Sequence, residues 1–143
     1  HRIEYVANIR GVEYYNDSKG TNPDASIKAI QAMKAPTILI AGGYDKHLSF
    51  DAWVKAFGGK IKMLILMGQT KNKIARTARR QGFTDIIFAS DLREAVVLSS
   101  LYAEPGDAVL LSPACASWGM FENYEQRGNL FKQYVKELAE KQS

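Results

Sequence analysis

The sequence predicts a three-layer α/β domain, a largely parallel six-stranded sheet with one antiparallel strand and helices on both faces. Three observations carry that prediction. Short apolar runs alternate with segments of helical period along most of the 143 residues. Several of those runs, such as residues 37–41 and 63–67, are apolar throughout, as in strands covered on both sides. The first two runs are separated only by Arg10 and Gly11, a connection short enough to be a hairpin, which makes one strand antiparallel.

Taken in order, residues 3–9 and 12–16 form the hairpin strands. A helix follows, with Asn22 as its N-cap and Pro23 at the first helical position; Asn accepts an orphan N–H and Pro has none to lose. Ile27, Ile30 and Met33 give that helix its apolar stripe. Residues 37–41 read as a buried strand ending at Gly42-Gly43. Residues 50–57 read as a short helix stopped by Gly58-Gly59, and residues 61–67 as the next strand. A basic helix spans about residues 71–81, a short strand residues 85–88. The helix after it opens on Asp91-Leu92-Arg93-Glu94, a capping box with Asp in the cap position, and ends before Pro105-Gly106. Residues 108–111 are the last strand. Phe131, Tyr134, Val135 and Leu138 then define the buried face of a final helix. The arrangement is Rossmann-like, and its length suits one domain.

Composition narrows the functional classes. The chain is 46% hydrophobic and 24% charged, with both signs mixed. No apolar run approaches the roughly 18 residues of a membrane span, and no signal peptide is visible, so no membrane partner is expected. Cys115 is the only cysteine, which excludes an internal disulfide framework and fits a reducing cytoplasm. With His1 and His47 as the only histidines, no metal site is expected. The net charge of +4 permits anionic ligands without requiring nucleic acid. Lys73, Arg76 and Arg80 share one face of the basic helix, but no aromatic residues interleave to stack on bases, so a solvated outer face and no nucleic-acid partner are expected. The chain opens at His1 without an initiator Met, which reads as an excised or processed piece.

Three segments rich in small and polar residues each follow a predicted strand: residues 17–22, 42–47 and 112–118. In open α/β sheets ligands bind outside the carboxyl ends of the strands, so parallel strands bring these loops to one edge. The first runs into a helix N-terminus, which favours an anion, with the Thr21 hydroxyl and Lys19 beside it. In the second, Gly42-Gly43 either lets the backbone approach a ligand or simply turns the chain, while Lys46 offers a mobile ammonium. In the third, small residues precede Ser117, which both donates and accepts. Two ammonium groups, two hydroxyls and a helix N-terminus suit a small carboxylate. Cys115 reads as a small buried residue, His47 as a loop residue, and Trp118 and Tyr124 as packing residues that can also flank a ligand. Ser112 and Ser117 lack the Gly-x-Ser-x-Gly elbow of a hydrolase.

The same loops carry a family resemblance. Asn16-Asp17-Ser18-Lys19-Gly20-Thr21-Asn22 resembles the Asn-Asp-Ser-Lys-Ala-Thr-Asn segment of the D-glutamate-adding Mur ligases. Gly42-Gly43-Tyr44-Asp45-Lys46 resembles their glycine-glycine-x-x-lysine loop, and Leu111-Ser112-Pro113-Ala114-Cys115-Ala116-Ser117 their last-strand signature, which residues 121–128 continue. Sister ligases for other amino acids tend to carry Asp-Tyr-x-His where this chain has Asp17-Ser18-Lys19.

The resemblance implies an ATP-dependent amide ligase of cytoplasmic peptidoglycan precursor synthesis. ATP turns the carboxylate of UDP-N-acetylmuramoyl-L-alanine into an acyl phosphate, which the D-glutamate amine attacks. It places Thr21, Lys46, Ser117, the Trp118 backbone and Tyr124 around D-glutamate, with Lys19 beside them, and Arg2 and Asp17 against the ATP nucleoside, Asp17 through ribose hydroxyls. Gly20 stands where alanine is usual, a change expected to be silent. No Gly-x-x-x-x-Gly-Lys-[Ser/Thr] loop is present. ATP and Mg2+ are therefore expected to be held mainly by a central domain outside this chain, as is the UDP group by an N-terminal one. No catalytic residue is expected among these 143 residues, which read as the D-glutamate-binding domain of a monomeric enzyme.

Overall fold

A computed structural model describes residues 3–142 and contains eleven regular elements among them. The strands are β1 (Glu4–Ile9), β2 (Val12–Asn16), β3 (Thr37–Ala41), β4 (Ile61–Leu66), β5 (Ile86–Phe88) and β6 (Ala108–Leu111). The helices are α1 (Pro23–Ala32), α2 (Asp51–Lys55), α3 (Lys71–Arg80), α4 (Leu92–Tyr102) and α5 (Tyr124–Gln142). The sheet order is β1-β2-β6-β3-β4-β5, with β1 antiparallel to β2 and every other pair parallel. The expected fold class is the observed one.

Local chemistry accounts for the boundaries. Arg10 (φ 53°) and Gly11 (φ 84°) both lie in the left-handed region, the conformation that a two-residue hairpin of matching twist requires. Asn22 caps α1 by accepting the Ala25 N–H at 2.9 Å. Asp91 caps α4 by accepting the Glu94 N–H, and Glu94 reaches back to the Ser90 N–H, both at 2.8 Å. Helix α2 is shorter than expected, because the chain leaves it at Ala56 and turns through Gly58 (φ 52°) and Gly59 (φ 78°).

The central strands are buried on both faces, and their alternation divides the core in two. Leu39, Ala41, Leu64, Leu66, Ala108 and Leu110 pack with Ile30, Trp53 and Ile74 from α1, α2 and α3. Ile38, Ile40, Ile65, Met67, Val109 and Leu111 pack with Leu92, Val96, Phe131 and Val135 from α4 and α5. Each of the larger of these side chains stabilises the fold by about 1.5–3 kcal/mol. Two expectations about the helices change. Tyr134 is only half-buried and lies beneath the Arg93 guanidinium, 4.4 Å from the ring centroid. Arg76 and Arg80 are exposed as expected, but Lys73 turns back to Asp45, 3.1 Å from its carboxylate.

The topology sets up the site. Strands β2, β6 and β3 are neighbours, and Asn16, Leu111 and Ile40 lie level across them. The three small-residue loops therefore leave one edge side by side.

Candidate functional site at the carboxyl rim

The loops are bonded to one another as well as adjacent. The Ala114 N–H donates to Gly20 O at 2.9 Å, joining the third loop to the first. The Gly42 N–H donates to Pro113 O at 2.9 Å and the Tyr44 N–H to Ala116 O at 3.1 Å, joining the second to the third. Ala114 holds φ 59°, a left-handed conformation costly for a residue with a Cβ and retained where the surroundings over-determine it.

Of the two readings of Gly42-Gly43, the geometry favours turning and packing. A Cβ on Gly42 (φ 105°) would lie 2.1 Å from Met67 O, and one on Gly43 (φ 155°) 2.8 Å from Ala116 O. The close approach is to the protein's own backbone. The Gly43 N–H is taken by the buried Thr70 hydroxyl at 3.0 Å, which also lies 3.4 Å from Cys115 Sγ. Cys115 is buried and its pKa is pushed up to about 11 by that burial, so it is no nucleophile.

Thr21 and Lys46 face one another across a small cavity that Ala114 and Cys115 also line. Lys46 continues along a hollow of about 390 Å3 above the N-terminus of α1, with Asn22, Pro23 and Asp24. Lys46 Nζ sits 5.1 Å from the centroid of the Trp118 ring, which meets Tyr44 edge-on at 5.3 Å. Trp118 is 55% exposed, so the expectation that it packs into the protein is corrected. Ser117, buried at 4%, directly follows Ala116, whose carbonyl accepts the Tyr44 N–H of the second loop. Among the described residues, the Thr21 and Ser117 hydroxyls and the Lys46 ammonium make no hydrogen bond or ion pair to protein.

Lys19 and Tyr124 do not join that group. They line a separate hollow of about 280 Å3 with Asn16, Asp17, Ser18 and Lys132, on the other side of the first loop. Asp17 belongs there but is nearly inaccessible, and its Oδ2 accepts from Ser112 Oγ at 2.7 Å. Burial pushes its pKa up to about 6, against the Ser112 hydrogen bond and the Arg127 charge, which lower it. Arg2 lies outside the described residues. A Cβ on Gly20 would come 2.6 Å from Asp17 Oδ2 and 2.9 Å from Ser112 Oγ, so one of them must move.

The residue that sequence reasoning missed is Arg127. It is 1% exposed, and burial lowers its pKa to about 10. Its Nε donates to Ser18 Oγ at 2.8 Å, one terminal nitrogen to Ser18 O at 2.6 Å and the other to Cys115 O at 3.0 Å. Ser18 Oγ in turn donates to Tyr124 O at 2.7 Å. Helix α5 thus clamps the first and third loops. The available signal was Gly128 inside a helix, where a Cβ would come 2.9 Å from Asn16 Nδ2 and 3.2 Å from Ser18 Cβ.

A family profile described as Mur ligase, glutamate ligase domain, matches residues 1–115. The chain belongs to the Mur ligase family. A UDP-N-acetylmuramoylalanine–D-glutamate ligase of Lachnospira eligens is 61% identical over 138 residues, covering 96% of this chain and 31% of that protein. The chain therefore spans about a third of the length of the curated relatives it matches. Solved Mur ligases share the fold. A domain from a proposed UDP-N-acetylmuramate:L-alanyl-γ-D-glutamyl-diaminopimelate ligase of Haemophilus ducreyi superposes with TM-score 0.64 at 15% identity, over 99% of this chain and 100% of that one. MurF ligase from Thermotoga maritima, in complex with ADP, superposes with TM-score 0.52 at 17% identity, over 94% of this chain and 31% of that one. Among the described residues of this Mur ligase domain, no cluster of three or more metal-ligating side chains occurs and no helix is long and apolar enough to cross a membrane.

Proposed function

We propose that this chain is the D-glutamate-binding domain of a ligase that joins D-glutamate to UDP-N-acetylmuramoyl-L-alanine. The observation that carries the reading is the set of uncommitted polar groups on one rim: the Thr21 hydroxyl, the Lys46 ammonium and the Ser117 hydroxyl. Together they offer one positive charge and two adaptable hydroxyls to a small dicarboxylate. The Trp118 backbone lies beside Ser117 and completes that group. Asp17 and Lys19, across the first loop with Tyr124, serve the nucleoside side, and the family resemblance gives Arg2 the same role. The split of Lys19 and Tyr124 from Thr21 and Lys46 favours giving them to the nucleotide rather than to D-glutamate.

In this reading the domain performs no bond-making by itself. The activated carboxyl arises as an acyl phosphate when ATP, with Mg2+, donates its terminal phosphoryl group and leaves as ADP. The D-glutamate amine attacks the acyl carbon, and the tetrahedral intermediate expels phosphate and leaves an amide. The rim holds the D-glutamate carboxylates so that the amine faces the partner domain, and closure of the two excludes water that would hydrolyse the acyl phosphate. The cytoplasm, where the precursor is made, is the place for this reaction. A folate- or polyglutamate-adding ligase is the neighbouring alternative. Turnover of the full-length protein with D-glutamate and with L-glutamate tests the choice: phosphate release dependent on D-glutamate alone is expected, and equal turnover of the L-isomer would overturn the assignment.

A further inference from the structure

Asp17 ends a buried chain of hydrogen bonds that the proposed reaction leaves unused. Trp53 Nε1 donates to Ser26 Oγ at 2.8 Å. Ser26 Oγ and Ser112 Oγ are 2.7 Å apart, and Ser112 Oγ lies 2.7 Å from Asp17 Oδ2. The three donors are fully buried and Asp17 is 1% exposed. The members come from α2, from α1, from the loop after β6 and from the loop after β2.

With Asp17 ionised the direction of the chain follows from proton counting: the carboxylate only accepts, so Ser112 spends its single hydrogen on Asp17 Oδ2, and the 2.7 Å contact between the serines is then made by Ser26 donating. An indole N–H only donates, so Ser26 accepts from Trp53 and its single hydrogen is left for Ser112. There the hydroxyl oxygen at 2.7 Å is closer than the carbonyl oxygen at 3.2 Å. In that state every hydrogen points toward the carboxylate, which takes a charge-assisted hydrogen bond from Ser112. Apolar side chains of the same shape would fill this space at little cost to stability. Two buried serines and an indole N–H aimed at one carboxylate instead indicate a requirement at Asp17.

We propose that Trp53, Ser26 and Ser112 are positioning residues, forming a one-directional relay that holds the Asp17 carboxylate ionised and fixed so that it accepts the nucleoside hydroxyls. This rests on the nucleoside reading of Asp17 given above. The relay places Trp53, which is fully buried and three hydrogen bonds from Asp17, in control of nucleotide affinity.

The test is made in the full-length ligase, with Trp53→Phe, Ser112→Ala, Ser112→Thr and Asp17→Ala. Ser112→Ala should raise KM for ATP about tenfold and Trp53→Phe about threefold, with KM for D-glutamate unchanged and Ser112→Thr restoring the ATP value. In the Asp17→Ala background, Trp53→Phe should have no further effect on the ATP KM, because the relay then ends on nothing. An undiminished Trp53→Phe effect in that background, or an equal rise in both KM values, overturns the relay. Should Asp17→Ala itself leave the ATP KM unchanged, the nucleoside reading fails. The relay is then decided by amide hydrogen exchange over residues 17–21, which should quicken about tenfold in Ser112→Ala and measurably in Trp53→Phe. Unchanged exchange in both variants overturns it however the kinetics fall.

Discussion

Replacing Lys46 by alanine removes an ammonium that faces both Thr21 and the hollow above α1. A charge-assisted hydrogen bond to a carboxylate contributes about 1.5–3 kcal/mol. Lys46 must first leave the face of Trp118, and a cation–π contact at so exposed a ring returns about 0.5–1 kcal/mol to the free enzyme. The net loss is about 1–2 kcal/mol, or about 5- to 30-fold in kcat/KM for D-glutamate. The assay is steady-state kinetics of the full-length ligase with D-glutamate and ATP varied in turn. The D-glutamate KM should rise by that factor while the ATP KM stays within about twofold, since Asp17 and Lys19 lie across the first loop. A D-glutamate KM unchanged by Lys46→Ala would refute the reasoning, as would an equal rise in both constants.

Other outcomes follow from the same geometry. Arg127→Met fills similar space but strands Ser18 O and Cys115 O, so urea denaturation of this domain should show a loss of about 3 kcal/mol, and an unchanged midpoint would contradict the clamp. Asp17 has a folded pKa of about 6 against an ordinary 3.8, so the folded state takes up its proton first; stability from this group rises as pH falls from about 6 toward 3.8. Over the same window ATP affinity should fall as the carboxylate protonates, and a pH profile of the ATP KM lacking a limb near 6, or keeping it in Asp17→Asn, would dissociate Asp17 from the nucleotide. The 143-residue chain alone should form no amide from D-glutamate and ATP, because it carries no Gly-x-x-x-x-Gly-Lys-[Ser/Thr] loop; any ATP-dependent ligation by it would reverse that expectation.

The order of elements was legible because strand and helix periods, caps and turns agree with one another along this chain. Asn22-Pro23, Asp91 with Glu94, and Gly11 in the hairpin turn each do locally what their types dictate. The gathering of the three loops was legible too, since it needs only parallel strands with the loops at their carboxyl ends. What the sequence hid was depth and pairing. Arg127 sits in a polar run with no local mark of burial, whereas α5 carries it into the core behind Ser18. Gly42 and Gly43 read as ligand-facing or as turning residues until Met67 O and Ala116 O are seen against them. Lys19 and Thr21, two residues apart, look like one cluster, yet the turn that donates the Gly20 N–H to Asp17 O sends them to opposite sides of the loop.

The most direct measurement is a crystal structure of the full-length ligase with D-glutamate bound. The account predicts carboxylate oxygens within hydrogen-bond distance of Thr21 Oγ1, Lys46 Nζ and Ser117 Oγ, with Lys46 lifted off Trp118. D-glutamate seated elsewhere, with those three groups still facing solvent, would contradict it.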